Sequence, residues 1–534
     1  MKIKSLLIGM LACSALVACT NDDLLENNEP QNGKVNESYI AVNLKTTNTG
    51  SRATSDSFED GRENENLVSG NILFFFFDGE GNKYNVAGEN NFISVPVSSW
   101  TAEGTANANS IEEVSSPVLV IEESKNVPPQ KILAILNPPT NLIKSQSLTE
   151  LKGLVGAYNY TSATANTFVM TNSTYKHSAT GAEVIATELS PSNICTSAEL
   201  AEKAPVDIYV ERVAAKVRVS VEYDQLNGTA FSVGNAYTMS DGSTQAIYAK
   251  IKGWEVTNIK NEANLLKKIS LDWDATNIGL TWNDAANHRS YWADTETPNA
   301  PTHPWSWTTV DNKVTENENW DYYYENTGDN KSQLLVAVEF CDAKGDQVQI
   351  AEWFGTKYSV PALKVAIANT LSSQIFIKAS EEATTATSIQ AGDIDFVQVS
   401  DEVVDGKARY WSEAILAKDS EKKLFVDASM KTLTLQQVKD IIATVQHAKI
   451  WAKGGYYYQK IEHFGNKEST TEFGMVRNHL YDFTINGISG LGTPVLDETK
   501  IITPEKPADE ASFIAARINI LSWRLVENND VTLQ

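Results

Sequence analysis

The chain has 534 residues, with 44 Lys and Arg against 68 Asp and Glu, a formal charge of -24 and four Cys. At roughly 150 residues per domain this length allows two to four domains, each able to bury a core without disulfide staples. The charge argues against nucleic acid, which needs clustered Lys and Arg to displace phosphate counterions, and an aromatic content of 9% with 16 Pro and 29 Gly excludes a disordered or linker-dominated chain.

Lys2 and Lys4 precede an apolar run from Leu6 to Ala18 that ends Leu16-Val17-Ala18-Cys19. A basic start, a short apolar stretch and small residues before a cysteine read as a bacterial lipoprotein signal, too short to remain as a membrane-spanning helix. Residues 1–19 are then the leader, with Cys19 the lipidated residue that holds a precursor to the cell outer membrane. Cys195 and Cys341 remain as two ordinary thiols, too few for a disulfide framework.

Residues 20–52 form the next unit. The stretch 21–36 is polar and without apolar period, a tether. Ile40, Val42 and Leu44 then alternate with small or polar residues, the pattern of a strand with one buried face. Residues 47–57 are small and polar, and Arg52 is their only basic residue. Such a stretch is open to proteases, and an Arg-specific enzyme finds one bond there, between Arg52 and Ala53.

From about residue 67 the chain reads as β. Ile72–Phe77 is a continuous apolar run bounded by Gly70 and Asp78-Gly79-Glu80-Gly81-Asn82, and Lys131–Leu136 stops at Asn137-Pro138-Pro139; both predict buried strands. Tyr209–Tyr223 predicts one long strand, with Val213, Ala215, Val217, Val219, Val221 and Tyr223 on one face and Arg212, Lys216, Arg218, Ser220 and Glu222 on the other. Arg212 reads as the partner of a neighbouring acid. Short helices are predicted from capping boxes at Ser147–Glu150 and Thr196–Glu199, and from the apolar stripe Leu435, Val438, Ile441, Ile442 and Val445 within Thr434–Val445. Further strands are expected at Ala249–Val256, Leu334–Phe340, Gln347–Phe354, Gly455–Ile461 and Leu480–Ile488, with a hairpin turn at Ala343–Asp346. Two runs of strands with few helices predict an all-β fold of two tandem β-sandwich domains, 53–223 and 224–520.

Between 282 and 324 lies a strand-poor stretch with Trp282, Trp292, Trp305, Trp307, Trp320 and Tyr322–Tyr324. These aromatics fit either stacking platforms for sugars or, the better-weighted reading, core and interface packing. Asp78, Glu80 and Glu89 occupy positions 1, 3 and 12 of a calcium loop, but Lys83 stands where that loop needs glycine, so a hairpin turn fits better. The six His are scattered, and HExxH, metal-spaced Cys pairs and GxSxG are absent from the sequence. No catalytic residue, metal ligand or cofactor is predicted, and an enzyme is not expected.

At the C-terminus Ile514, Ala516, Ile518 and Ile520 share one parity, and Leu521, Trp523 and Leu525 the other, which predicts two segments joined at a bulge or bend. Val531 and Leu533 alternate again. Residues 521–534 therefore read as an apolar-alternating tail able to pair elsewhere.

The Cys19 leader, the Arg52-Ala53 junction, Val210–Val217, Arg289–Trp292, Val476–Tyr481 and Ile518–Trp523, in that order over nearly the whole chain, resemble the fimbrillins, the type V pilus subunits of Bacteroidales, in particular their minor-fimbrillin branch. The resemblance implies transthyretin-like sandwiches, lipoprotein transport to the surface, cleavage after Arg52 by an Arg-specific protease and polymerisation by strand exchange. The strand carrying Ile40, Val42 and Leu44 would leave on cleavage, and the tail of another copy, with Leu521, Trp523, Leu525, Val531 and Leu533, would take its place. Implied partners are further pilus subunits (other copies, tip and anchor proteins), the protease, a host or bacterial surface ligand, and the membrane through the Cys19 lipid before cleavage. The product would be an extracellular fimbrium serving adhesion and biofilm formation. Two rival readings are a surface lipoprotein that binds glycans through 282–324, and a fimbrial tip or anchor subunit.

Overall fold

A computed structural model describes residues 38–47, 71–96, 127–158, 168–269, 320–463, 473–498 and 513–521, apart from 178, 329–330 and 405–406, together with 68, 103–104, 111–115, 118–121, 290, 293–295, 307 and 526–527. The described chain is all-β with four short α-helices.

The first sheet has ten strands. Along its main path lie Phe92–Val95, Ile72–Phe77, Lys131–Leu136, Met170–Asn172, Val206–Arg212, β1 (Ser38–Thr47), Ile111–Ser115 and Glu103–Gly104. All six residues of Ile72–Phe77 are buried because the sheet has a core on each side: Ile72, Phe74 and Phe76 enter one, Leu73, Phe75 and Phe77 the other. That is why the strand reads as an unbroken apolar run rather than an alternation. The turn that follows is closed by Asp78, whose Oδ1 accepts from the Glu80 and Asn82 N–H groups at 3.0 and 2.8 Å. The Asp78 side chain is thus engaged in a tight turn, with Gly81 at φ 85°.

The predicted strand Tyr209–Tyr223 is in fact two. Val206–Arg212 belongs to the first sheet, while Ala215–Val221 belongs to a second, five-stranded sheet of order Trp320–Tyr323, Ala215–Val221, Leu480–Ser489, Phe513–Leu521, Val526–Glu527. The buried parity changes at the break: Val206, Ile208 and Val210 enter one core, and Ala215, Val217 and Val219 another. Charged residues of the polar face are buried too: Arg212 and Lys216 are 3% and 1% exposed. Lys216 lies under aromatic rings, its Nζ 5.1 Å from the Trp320 centroid and 6.0 Å from that of Tyr322, a cation–π arrangement that compensates part of its desolvation.

A third sheet of eight strands, including Phe231–Thr238, Thr244–Thr257, Gln333–Cys341 and Gly454–Lys460, faces the second. Between them lies a core of Val217, Trp254, Val336, Trp451, Tyr481 and Phe483, among others. The hairpin turn after Cys341 forms as expected, with the Gly345 N–H donating to Asp342 O at 2.9 Å.

Sequence periodicity misses a further packed unit. Helix α3 (Val360–Leu371) starts at Ser359, whose side chain accepts from the Ala362 N–H, and carries Pro361 in its first turn. Its buried residues Val360, Leu363, Ile367 and Leu371 form a narrow stripe that the surrounding Ala and Val positions blur. With α4 (Leu435–Ile442) it encloses a core that includes Leu363, Ile367, Ile394, Phe425, Val438 and Ile442. Helix α4 opens on a capping box, Thr434 with Gln437, and buries Val438 and Ile442 of the expected stripe, but Leu435 is exposed. The other two helices are single turns. In α1 (Leu148–Lys152) the Ser147–Glu150 box is present. In α2 (Ala198–Glu202) the cap is Ser197 rather than Thr196, one residue later than the sequence spacing indicated.

Asp393 anchors this helical unit. Its buried carboxylate accepts from Ser420 Oγ at 2.6 Å, from the Gln390 N–H at 2.9 Å and from Lys423 Nζ. Burial pushes its pKa up, but the bonds from Lys423, Ser420 and Gln390 outweigh that and hold it below the usual carboxylate range. Asp393→Asn is expected to cost about 1.5–3 kcal/mol, the worth of charge-assisted bonds, in urea denaturation at pH 7. The difference shrinks as pH falls below about 4, where the unfolded carboxyl takes up its proton first.

Candidate assembly site

Strand β1 is an interior strand. It runs parallel to Val206–Arg212, with Val42 opposite Val206 and Thr46 opposite Val210. On its other side it pairs antiparallel with Val118–Ile121 and then with Ile111–Ser115. Ile40 and Val42 are fully buried, in a core shared with Leu119, Ile121, Ile208 and Val210. The opposite face is covered as well, since Ala41 packs with Cys195, with Val118 and with Ala201 of α2. Burying Ile40 and Val42 contributes about 1.5–3 kcal/mol each, and the ladder on both sides adds hydrogen bonds at about 0.5–1.5 kcal/mol each. Leu44 is placed by its backbone alone, opposite Ile208 and Ser115.

The two C-terminal strands are held unequally. Phe513–Leu521 pairs with Leu480–Ser489, and Leu521 sits opposite Leu480. The register irregularity lies on the partner strand, between Ile485 and Gly487, rather than within the tail strand. Val526–Glu527 then folds back on the outer side of Phe513–Leu521 through two residue pairs, Asn519 with Glu527 and Ile520 with Val526. Cys19, Arg52, Ala53, Trp523, Leu525, Val531 and Leu533 lie outside the described residues.

The two sheet systems meet in a buried polar joint. Segment 263–269 leaves the second half of the chain and inserts Ala263, Leu265 and Leu266 into the core behind the first sheet. Lys267 is wholly buried and donates to Glu211 Oε2 and to Ser290 O, both at 2.8 Å. Arg477, also wholly buried, donates to Leu265 O at 3.0 Å and Asn264 O at 2.6 Å, and pairs with Glu325. Burial works against the Arg477 charge, but Glu325 outweighs it and raises the pKa. Arg212 Nη1 donates to Asn478 Oδ1 at 3.1 Å, and the Asn478 N–H reaches Ala214 O. Among the described residues, Glu211 Oε1, Arg477 Nε and both amide atoms of Asn264 have no hydrogen-bond partner.

Thus Val210–Val217 and Val476–Tyr481, which stand out as sequence patterns, are the two sides of this joint. Lys267 and Glu325 were missed. The available signal was a charged residue inside an apolar run, as in Val210-Glu211-Arg212-Val213 and Val476-Arg477-Asn478-His479-Leu480, since charges there are buried only when paired.

The described aromatics of the 282–324 stretch are packing residues. Trp307 meets Tyr456 edge-on at 5.7 Å, while Tyr322, Tyr323 and Tyr324 enter three different cores. Trp282, Trp292 and Trp305 are outside the described residues.

An all-β chain whose last strands close a sandwich is the class these features define. Residues 451–529 match the family described as major fimbrial subunit protein type IV, fimbrillin, C-terminal. That match is confined to the C-terminal segment of the chain. No curated protein matches. Among solved structures, a protein of Parabacteroides distasonis named for a proposed role in cell adhesion is 12% identical, with a TM-score of 0.39 over 90% of this chain and 96% of that one. A fimbrial assembly protein from the same organism is 12% identical, with a TM-score of 0.30 over 58% and 87%. The tip fimbrial protein Mfa3 of Porphyromonas gingivalis is 9% identical, with a TM-score of 0.29 over 90% and 99%. At these scores the likenesses assign neither fold nor function.

The joint makes a stability prediction. Lys267→Met leaves Glu211 charged and buried without its counterion and should cost about 3–5 kcal/mol, whereas Lys267→Met with Glu211→Leu should recover most of that loss. Urea denaturation of the single and double variants measures both.

Proposed function

We propose that this chain is a structural pilin, a shaft or stalk subunit of a surface fimbria, exported as a lipoprotein through Cys19, cut between Arg52 and Ala53, and joined to further copies by exchange of a strand. The observation that carries this reading is the seat of β1. A strand with both faces buried and both edges paired is followed within a few residues by a small, polar stretch containing one basic residue, Arg52.

Cutting there separates β1 from the body of the chain while leaving it seated. Its departure exposes the edge of Val206–Arg212, with unpaired backbone groups and the pockets of Ile40 and Val42. A second copy's tail, with Leu525, Val531 and Leu533 as the alternating apolar residues, would restore ladder and core together. The costs are unequal. Freeing β1 forfeits several kcal/mol, whereas Val526–Glu527 gives up two residue pairs, worth about 0.5–1.5 kcal/mol per hydrogen bond. The cut therefore belongs on the acceptor side. Donor and acceptor are different surfaces, so the contact repeats head to tail into an open filament. On this reading the domain limits are 53–223 and 224–520, with 521–534 as donor.

Treatment of the purified chain with an Arg-specific protease should produce filaments in electron micrographs and ladders on unboiled gels. Arg52→Ala and deletion of 524–534 should each give a folded monomer that does not polymerise. Polymer from either variant would sink the proposal.

Cys195 offers a second readout. It is buried against Ala41 of β1, while Cys341 is buried in the opposing sandwich core region next to the Ala343–Asp346 turn. Loss of β1 should raise the rate of Cys195 labelling by a maleimide more than tenfold and leave Cys341 unchanged. Equal labelling of both thiols, or of neither, would show that β1 stays in place.

A further inference from the structure

The turn that carries Arg477 and Asn478 is held by a histidine. Tyr481 Oη accepts the Val476 N–H at 2.8 Å, so its own proton is free to be donated, and His463 Nδ1 lies 3.0 Å away. A hydroxyl that already accepts from an amide bonds best by donating onward, which makes His463 Nδ1 an acceptor and the ring neutral, with its proton on Nε2. His463, Val476 and Tyr481 are 2%, 0% and 0% exposed. His479 stacks edge-on against His463 at 5.3 Å, and its Nδ1 lies 2.8 Å from Arg477 O, which only a donor can satisfy.

The charged groups facing His463 are of its own sign. Lys267 and Lys331 both act on it, the carboxylates of Glu211 and Glu325 being taken up by Lys267 and by Arg477. Burial chiefly, and then the two lysines, hold its pKa well below the ordinary value.

We propose that His463 is a proton-operated latch on the joint between the first sheet and the C-terminal sandwich: neutral, it accepts from Tyr481 and fixes the Val476–Leu480 turn; protonated, it releases that turn. A proton on Nδ1 makes that nitrogen a donor, breaks the donation from Tyr481 and adds a cation beside Lys267 and Lys331. The turn then loosens its hold through Arg477 on Asn264 and Leu265, and through Asn478 on Arg212. The closed joint keeps His463 neutral where the open one lets it titrate near 6.5, so closure is favoured fully above about pH 6.5 and loses up to tenfold per unit of pH below it. Ordinary carboxylates stay ionised down to about pH 5, which leaves a window in which histidine acts without them.

The test is hydrogen exchange by mass spectrometry on the full chain at pH 7.5 and 5.5, with protection corrected for intrinsic exchange. Peptides spanning 263–269 and 473–482 should lose about tenfold protection at pH 5.5, while Ile72–Phe77 and Gln333–Cys341 keep theirs. His463→Gln, whose amide oxygen can accept from Tyr481 and does not titrate, should show no change between the two pH values. An equal loss in His463→Gln, or none in the parent chain, overturns the proposal. If that variant does not fold, the parent chain decides alone: loss confined to the two joint segments supports the latch, and uniform loss refutes it.

Discussion

A guanidinium shut away from water must be neutralised and hydrogen-bonded where it lies, and in satisfying Arg477 this protein fixes three segments distant in sequence. Glu325 supplies the charge, and the carbonyls of Asn264 and Leu265 supply acceptors. Those carbonyls belong to a segment that is also a wall of the first sheet's core. The two sheet systems are thus not beads on a linker. A loop from the second half of the chain completes the packing of the first, and the residues just ahead of the Leu480–Ser489 strand grip that loop.

Such a joint is costly compared with an apolar one of the same volume, and atoms of Glu211, Asn264 and Arg477 stay unsatisfied within it. What it provides is definition. Ion pairs and directed hydrogen bonds permit one relative placement of the sheets, where an apolar interface would tolerate sliding. It also places chemistry that responds to solution conditions at a region that both halves share.

Much of the fold was legible because it rests on period and punctuation. Ile72–Phe77, Lys131–Leu136 and Leu480–Ile488 are apolar runs of strand length with turn residues at their ends. The apolar stripe with Val438 and Ile442 marked α4. The failures have physical causes. The alternation from Val213 to Tyr223 runs past the break, while Val206, Ile208 and Val210 bury the other parity, so a single strand drawn from Tyr209 crosses the change of sheet. Helix α3 carries further Ala and Val around its buried stripe of Val360, Leu363, Ile367 and Leu371, which blurs the helical period. Arg212 and Lys216 lie on the polar face of the alternation, yet a partner amide and an aromatic ring take them inside. Of the assembly residues, Ile40 and Val42 sit where an alternating strand places them; the bury-and-pair logic of the joint depended on partners more than fifty residues away in sequence, which no local pattern encodes.

The direction of β1 has a consequence of its own. Parallel and antiparallel ladders place their hydrogen bonds differently, so the vacant edge of Val206–Arg212 is not indifferent to which way a strand is laid along it. A replacement that reproduces the pattern of β1 must arrive with the same heading. Under the proposed strand exchange every junction would repeat one orientation, and the fibre would be a vector: its two ends would be chemically different, and it would lengthen without ever turning round.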